Sequence, residues 1–247
     1  SMTNPTAGRF AGLPLRHWKP QLRDDGVLVL YFDRADTAVN AFSQDALIEL
    51  GDVLERIALE LPKALVIASG KASGFIAGAD LKEFQEFDRK GTVDDAIRRG
   101  QTMFQKLAQL RCPTVAAIHG FCMGGGTEIS LACRYRVASS DASTRIGLPE
   151  VQLGIFPGWG GSARLPQLVG APAAMDMMLT GRALSAKAAF GIGLIDKITE
   201  SANLIDTAAA LALKGRVRPF KQRLLAWSTN TFAARKLLAP QMIKQVA

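Results

Sequence analysis

The sequence predicts an α/β fold in which strands alternate with helices. Three uninterrupted apolar runs, at 27–32, 64–68 and 114–118, have the length of buried strands. Segments with apolar residues at the helical period lie between these runs and have clear start and stop residues. This alternation predicts parallel strand pairing with right-handed crossovers. At 247 residues and 48% hydrophobic composition, the chain can bury one substantial core.

The start of the chain is expected to be irregular. Residues 1–20 contain three prolines and two glycines, which favour turns over regular structure. Ser1 ahead of Met2 is interpreted as the remnant of a cleaved tag. The strand at 27–32 comes next.

The middle of the chain alternates between the two element types. Ser43 can cap a helix that Pro62 ends, just before the strand at 64–68. Thr92 can start a further helix that Pro113 ends, just before the strand at 114–118. A helix is then predicted from Glu128.

The last elements complete the domain prediction. A short strand is predicted at Tyr135–Ala138. Residues 21–200 are expected to form the core domain. Residues 201–247 are expected to be wholly helical, with interruptions near Gly215 and Pro219.

Composition excludes several classes of protein and site. No apolar stretch approaches the roughly 20 residues of a membrane span, and the start lacks the pattern of a signal peptide. The three cysteines, ten and eleven positions apart, form neither a CxxC pattern nor an even disulfide framework. We therefore expect reduced, buried thiols and a cytoplasmic location. His17 and His119 are the two histidines, too few for a histidine-built metal cluster, so no metal is expected.

Two glutamates near glycines and proline are the candidates for chemistry. Glu128 follows the glycine triplet Gly124–Gly126, and Glu150 follows Pro149. A helix that begins after glycines offers free N–H groups to an anion or a developing oxyanion. Two carboxyl groups beside such donors can move protons on a carbonyl substrate. The alternative is an ordinary turn with a surface glutamate in the first turn of a helix.

The surroundings of Glu128 favour the chemical interpretation. A buried strand precedes it and apolar residues follow it, so its carboxyl group should lie close to the core, where burial raises a pKa. Glycine should be required at Gly125, where a side chain would occupy the ligand position or need a disfavoured φ. A second donor segment precedes Asp80, a good N-cap residue, and would expose the N–H of Ala79. Alone, that segment is equally consistent with a capped loop.

Three segments resemble the enoyl-CoA hydratase/isomerase (crotonase) superfamily. They are Ser73–Lys82 (SGFIAGADLK), Ala117–Glu128 (AIHGFCMGGGTE) and Gly147–Gly161 (GLPEVQLGIFPGWGG). The resemblance covers roughly residues 25 to 200, in order and with ordinary family spacing. Within the family, it is greatest to the hydratase domain of multifunctional fatty-acid oxidation enzymes. It implies a spiral of repeated ββα units with a helical C-terminal region.

The resemblance also implies roles for individual residues. The N–H groups of Ala79 and Gly125 would hold the thioester oxygen as it becomes enolate-like. Glu128 would activate water for attack at C3, and Glu150 would exchange the proton at C2. Further substrate contacts are implied at Ala38 and Ala77 (adenine end), Lys82 (phosphates), Asp80, Gly124, Pro149 and Gly158. No cofactor is implied, because coenzyme A is part of the substrate.

Other functions stay open at this point. An isomerase of the same fold can work with a residue like Glu150 alone, and a crotonase-fold protein can bind acyl-CoA without catalysis. Residues 158–163 match the GxGxxA fingerprint of dinucleotide-binding sites, which would indicate an NAD-linked dehydrogenase. Pro157 precedes the match and no strand leads into it, so its context does not support that function. His119 is expected to be structural or pocket-lining, with a substrate contact as the alternative.

The charge of the chain is concentrated at one end. The net charge is +8, and residues 207–247 contain eight basic and no acidic residues. No nucleic-acid motif accompanies this basic stretch, so we expect it to contact coenzyme A phosphates or a neighbouring subunit or domain. Residues 239–244 resemble the linker that leads to a dehydrogenase domain, which predicts a truncated chain, with a stand-alone relative as the alternative. A homo-oligomer or membership of a fatty-acid oxidation complex is expected.

Overall fold

The computed structural model describes residues 8–155 and 157–215. Within these ranges the strands are β1 (Trp18–Leu22), β2 (Val27–Phe32), β3 (Ala64–Ser69), β4 (Gly74–Ile76), β5 (Thr114–Ile118), β6 (Phe121–Met123), β7 (Tyr135–Ser139), β8 (Arg145–Gly147) and β9 (Lys197–Thr199). The helices are α1 (Gln44–Leu59), α2 (Leu81–Lys90), α3 (Val93–Ala108), α4 (Gly125–Ala132), α5 (Gly161–Val169), α6 (Ala171–Thr180), α7 (Ala186–Gly191) and α8 (Leu204–Lys214). Short 3₁₀ turns cover Pro149–Leu153 and Ser201–Asn203.

Two sheets share the strands of the described residues. The larger sheet has the order β1-β2-β3-β5-β7-β9, and the smaller one has the order β4-β6-β8. Every pairing is parallel except that of β1 with β2. The pairs β3/β4, β5/β6 and β7/β8 each place one strand in the large sheet and the next in the small sheet. This arrangement confirms the predicted α/β fold with repeated ββα units.

Apolar residues cover both faces of the large sheet. On one face, Leu30 and Ile67 pack with α1 residues such as Leu47 and Leu50 in the main core. On the other face, valines of β2, β3, β5 and β7 pack against alanines of α8. Strands buried on both faces read as unbroken apolar runs, which is why the sequence predicted β2, β3 and β5.

The strand β1 corrects the prediction of an irregular stretch up to residue 20. Pro20 lies opposite Leu30 in the β1–β2 pair, at the edge of the sheet, where a residue without an N–H is tolerated. Trp18 is fully buried, stacks on Phe32 with ring centroids 4.3 Å apart, and donates its indole N–H to the Ala46 carbonyl at 2.9 Å. Strand β1 was not predicted because its polar residues and its proline interrupt the apolar pattern of a buried strand.

Helix boundaries follow the predicted caps at α1 and α2 and differ from the prediction at α3 and α4. Ser43 caps α1 by accepting the Ala46 N–H at 3.2 Å, and Asp80 caps α2. Helix α4 begins at Gly125 and not at Glu128, because the glycines themselves form its first turn. Thr92 precedes α3 without a side-chain cap, and that helix ends at Ala108, well before Pro113.

The C-terminal prediction is tested only in part. Helix α8 confirms a helical segment after residue 201, and it ends at Gly215 as predicted. The interruption near Pro219, and the basic stretch beyond Gly215, lie outside the described residues. Over the described ranges, no helix combines the length and apolar character needed to cross a bilayer.

Candidate active site

The N–H of Ala79 is presented by a short bridge between two loops. Phe42 donates its N–H to the Gly78 carbonyl at 2.8 Å and accepts the Asp80 N–H at 2.9 Å. In such a bridge the intervening residue directs its own N–H to the opposite side. The Ala79 N–H has no hydrogen-bond partner within residues 8–155 and 157–215. It is therefore available to a ligand.

The Asp80 carboxylate holds this segment in place. One oxygen accepts the N–H groups of Lys82 and Glu83 at 3.0 and 3.3 Å, and the other pairs with Arg34 at 2.7 Å. Burial alone would raise the pKa of Asp80, but these partners lower it overall. The sequence placed Asp80 among the substrate contacts. In the structure its side chain bonds within the protein and holds the segment next to Ala79, and its contact with substrate stays a prediction.

A second donor lies at the start of α4. Gly124 has φ 55° and ψ −117°, a backbone conformation that favours glycine, and it donates its N–H to Gly147 at 3.1 Å. The next N–H, that of Gly125, has no partner in the part of the chain that the structure describes. A methyl group added at Gly78 would lie 3.9 Å from the Gly125 nitrogen. The two free donors, at Ala79 and Gly125, thus come from loops that face each other, as an oxyanion hole requires.

Glu128 is the buried carboxyl group of the site. It lies in the first turn of α4 and is 2% exposed. Its Oε2 accepts the backbone N–H groups of Trp159 at 2.7 Å and Gly161 at 2.9 Å. Burial raises the pKa of Glu128 to about 7. The charge of Glu150 acts in the same direction, while the two N–H donors and the charge of Arg164 oppose the rise.

Glu150 approaches the same turn from the other side. Pro149 begins the 3₁₀ turn that carries it, and the pairing of β8 with β6 sets Gly147 opposite Met123. A methyl group at Gly124 would lie 2.8 Å from Glu150 Oε1. The other carboxyl oxygen of Glu150, Oε2, is buried and has no hydrogen-bond partner among the described residues. Burial raises the pKa of this half-buried carboxyl group.

The Thr127 hydroxyl connects the elements that carry the two glutamates. It is fully buried, and its Oγ1 lies 2.6 Å from the Gly147 carbonyl and 2.9 Å from the Cys122 carbonyl. Gly147 ends β8, just before the turn with Glu150, and Cys122 belongs to β6. This hydroxyl therefore fixes α4, and with it Glu128, relative to the segment that leads to Glu150.

The reason for glycine at 125 differs from the expected one. The left-handed φ belongs to Gly124, whereas Gly125 is an ordinary helical residue. A methyl group at Gly125 would lie 2.5 Å from Cζ3 of the Trp159 indole and 3.2 Å from the Phe42 ring. The indole, more than the backbone, excludes a side chain there.

The remaining predicted contacts lie around this centre and stay predictions. The Ala38 carbonyl accepts the Ser73 hydroxyl at 2.7 Å, and the Ala77 N–H bonds Asn40 at 2.8 Å. Lys82 is exposed in the first turn of α2 and forms no ion pair among the described residues.

Gly158 and His119 each form a hydrogen bond with another group of the protein. The Gly158 carbonyl accepts the Gln101 side chain at 2.7 Å. His119 donates from Nε2 to the Lys71 carbonyl at 2.8 Å, which supports its structural interpretation. Over the described ranges, no three metal-binding side chains come together.

Sequence reasoning missed the roles of Thr127, Trp159 and Arg164. All three lie in segments that resemble the family, yet no pattern in the chain distinguishes them from their neighbours. Their roles arise from contacts between segments about 30 residues apart, such as Trp159 with Glu128.

Known proteins resemble this chain in sequence and in fold. A family model described as enoyl-CoA hydratase/isomerase matches residues 23–226. The fatty acid oxidation complex subunit alpha of Shewanella amazonensis is 41% identical over 91% of this chain and 32% of its own length. The corresponding subunit of Shewanella halifaxensis is 40% identical, again over 91% of this chain and 32% of its own length. The chain thus spans about a third of the length of these curated relatives.

Solved structures agree with the sequence matches. The enoyl-CoA hydratase from Bacillus anthracis has a TM-score of 0.75 and 33% identity, with 93% of this chain and 89% of that chain covered. DspI from Pseudomonas aeruginosa has a TM-score of 0.74 and 29% identity, with 93% and 94% covered. On the family model, the curated relatives and the solved structures together, the chain belongs to the enoyl-CoA hydratase/isomerase family.

Proposed function

We propose that this chain hydrates trans-2-enoyl-CoA thioesters to 3-hydroxyacyl-CoA, a reversible step of fatty-acid β-oxidation. The observation that carries the proposal is the pair of carboxyl groups with raised pKa values, Glu128 and Glu150, on either side of the Gly124–Gly125 turn. The enoyl-CoA hydratase from Bacillus anthracis, which matches this chain over 89% of its own length, supports the same reaction.

Each group has a step in the reaction. Ionised Glu128 takes a proton from water, and the resulting hydroxide forms a bond to C3. The electron pair of the C2=C3 bond moves toward the thioester oxygen, where the N–H groups of Ala79 and Gly125 stabilise the negative charge. Protonated Glu150 then supplies a proton to C2. The elements of one water are added, and the two carboxyl groups regain their starting states by proton exchange.

The two environments suit these two roles. Glu128 accepts two N–H bonds that favour its ionised form, so its pKa stays near 7 despite burial, and a useful fraction is a base at neutral pH. Glu150 has an unpartnered buried oxygen among the described residues, which favours the protonated, neutral form.

Turnover of crotonyl-CoA, followed as loss of the conjugated thioester absorbance, tests the proposal. Glu128→Gln and Glu150→Gln keep side-chain shape but remove proton transfer, so kcat should fall by about 10²–10⁴-fold in each. Substrate binding should change much less. Lys63→Gln, an exposed substitution remote from the site, is the matched control and should retain wild-type turnover. Near-normal hydration by either glutamine variant would refute the assigned roles.

Isomerisation of a 3-enoyl thioester to the 2-enoyl form is the second candidate. Glu150 lies against Gly124, next to the Gly125 donor, and its Oε2 has no partner among the described residues, so this one group could move a proton between C2 and C4. Glu128→Gln should then lose hydration and keep isomerisation, whereas Glu150→Gln should lose both.

The coenzyme A end of the site is also proposed. The backbone at Ala38 and Ala77 would line the adenine. The exposed Lys82 in the first turn of α2, which forms no ion pair among the described residues, would contact the phosphates. No cofactor takes part, because coenzyme A belongs to the substrate. By analogy with relatives named as subunits of a fatty acid oxidation complex, the chain would act in the cytoplasm as an oligomer or within such a complex.

A further inference from the structure

Trp159 touches the proposed base and one proposed oxyanion donor through different parts of the same residue. Its backbone N–H bonds Glu128 Oε2 at 2.7 Å. Its indole lies against the backbone of Gly125, so that a methyl group there would come within 2.5 Å of Cζ3. The residue is 9% exposed. Its position is therefore fixed next to the atoms that would react.

The indole fills the space between helices α3 and α4. On the α3 side, a methyl group at Gly100 would overlap the indole nitrogen and its neighbouring carbons. Glycine is disfavoured inside a helix, so its presence in α3 is explained by the space that the indole needs. The rings of Phe42 and Phe104 meet the indole edge-on, with centroids 5.7 and 5.5 Å away. The indole is held on three sides.

This space is where an acyl chain would have to continue. With the thioester oxygen at the Gly125 N–H and C3 beside Glu128, the next carbon of the chain leaves from the Glu128 side of the turn. The indole borders that side. The neighbouring residue Gly158 is also closely packed, because a methyl group there would lie only 3.3 Å from Ile97. Any longer chain must therefore displace or pass the indole.

We infer that the Trp159 indole closes the acyl end of the site and makes the enzyme selective for short 2-enoyl thioesters, such as the four-carbon one. This inference rests on the proposed function. It assigns Trp159 a role in specificity and leaves the proton transfers to Glu128 and Glu150.

The test compares kcat/KM for trans-2-enoyl-CoA thioesters of four, eight and twelve carbons. The wild type should prefer the four-carbon substrate over the twelve-carbon one. Trp159→Ala should raise the twelve-to-four ratio by at least about tenfold, since each accommodated methylene contributes roughly that much in an apolar pocket. Trp159→Phe should fall between the two. Tyr31→Leu is the control, because Tyr31 packs in the cluster with α8 on the other face of the large sheet and should change thermal stability without changing the ratio.

The position of the indole can be tested apart from catalysis. Gly100→Ala should lower the Tm of the wild type, because the new methyl group overlaps the indole. The same substitution should raise the Tm of the Trp159→Ala variant, because alanine is favoured over glycine in a helix once the indole is absent. If Gly100→Ala raised the Tm of the wild type and of the Trp159→Ala variant equally, the placement of the indole would be overturned.

The outcomes separate the two proposals. A wild type that hydrates the twelve-carbon substrate as well as the four-carbon one, or a ratio unchanged in both Trp159 variants, overturns the inference and leaves hydration intact. A wild type that hydrates none of the three overturns the proposed function. Calorimetric binding of saturated four- and twelve-carbon acyl-CoA then decides the role of the indole: a short-chain preference of the wild type that is lost in Trp159→Ala supports it, and equal binding of both ligands by the wild type overturns it.

Discussion

At the scale of single residues, the surroundings of Glu128 determine how it can act as a base. Burial and the charge of Glu150 raise its pKa, while two N–H donors and Arg164 lower it. Arg164 is half-buried, and its guanidinium donates to the Trp159 carbonyl at 3.4 Å and to the Gln105 side chain at 2.9 Å. Among the described residues no carboxylate lies within ion-pair distance of it. Its charge therefore remains available to stabilise ionised Glu128.

Removing that charge should change the pH dependence of the reaction. In Arg164→Gln the ionised form of Glu128 is less favoured, so the pKa of Glu128 rises and the acid limb of kcat/KM moves to higher pH. Activity should fall several-fold at pH 6 and little at pH 9. Arg164→Lys keeps the charge and should retain most of the wild-type profile. An equal loss of activity at every pH would indicate a purely structural role instead.

At the scale of elements, the site depends on how α4 and β8 are joined. The buried Thr127 hydroxyl lies within hydrogen-bond distance of carbonyl groups from β8 and β6. It links helix α4, which carries Glu128, to the strand that leads to Glu150. The spacing of the two carboxyl groups therefore depends on a residue that would not itself touch the substrate.

Thr127→Val preserves the shape of the side chain but removes this link. We expect a loss of about 1–3 kcal/mol in the free energy of unfolding, because a buried hydrogen bond is broken. We also expect a decrease in kcat that exceeds any change in KM, because the spacing of Glu128 and Glu150 loosens. Thr127→Ser keeps the hydroxyl and should recover kcat. Urea unfolding and steady-state kinetics on both variants measure the two effects, and full kcat in Thr127→Val would exclude a positioning role.

At the scale of the whole molecule, the sequence predicted the parts that local pattern determines. Unbroken apolar runs identified β2, β3 and β5, and capping residues identified α1 and α2. The small sheet was not predicted from local pattern, because β4, β6 and β8 have three residues each and stand next to glycines. Strand β1 was missed because Pro20 and its polar neighbours break the apolar pattern.

The site was predictable to a similar degree. The resemblance of short motifs pointed to Ala79, Gly125, Glu128 and Glu150, and the fold brings their segments together. The sequence could not show that one oxygen of Glu128 accepts two N–H groups from a loop more than 30 residues away. It also could not show that an indole covers Gly125, because that contact depends on the packing of α3 against α4.

The buried Glu128 should also affect the stability of the whole domain. Its pKa is about 7 in the folded protein and 4.5 as a reference, so the folded state binds the proton more tightly than the unfolded state between these values. Its contribution to stability is therefore fully present below pH 4.5 and is lost as the pH rises through 7, to a total of about 3 kcal/mol. Asp33 has a lowered pKa because of Lys19 and Lys71, so its contribution is lost instead as the solution becomes strongly acidic.

A pH series of thermal unfolding separates these effects. The wild-type Tm should decrease by several degrees between pH 5 and pH 8. Glu128→Gln, which has no charge to bury, should remove most of that decrease, so this catalytically impaired variant should be more stable than the wild type at pH 8 and similar to it near pH 5. Glu150→Gln should remove a further part, because its pKa is raised in the same direction. A wild-type slope that persists unchanged in Glu128→Gln would mean that Glu128 does not titrate in this range, and the description of it as a base with a pKa near neutrality would have to be abandoned.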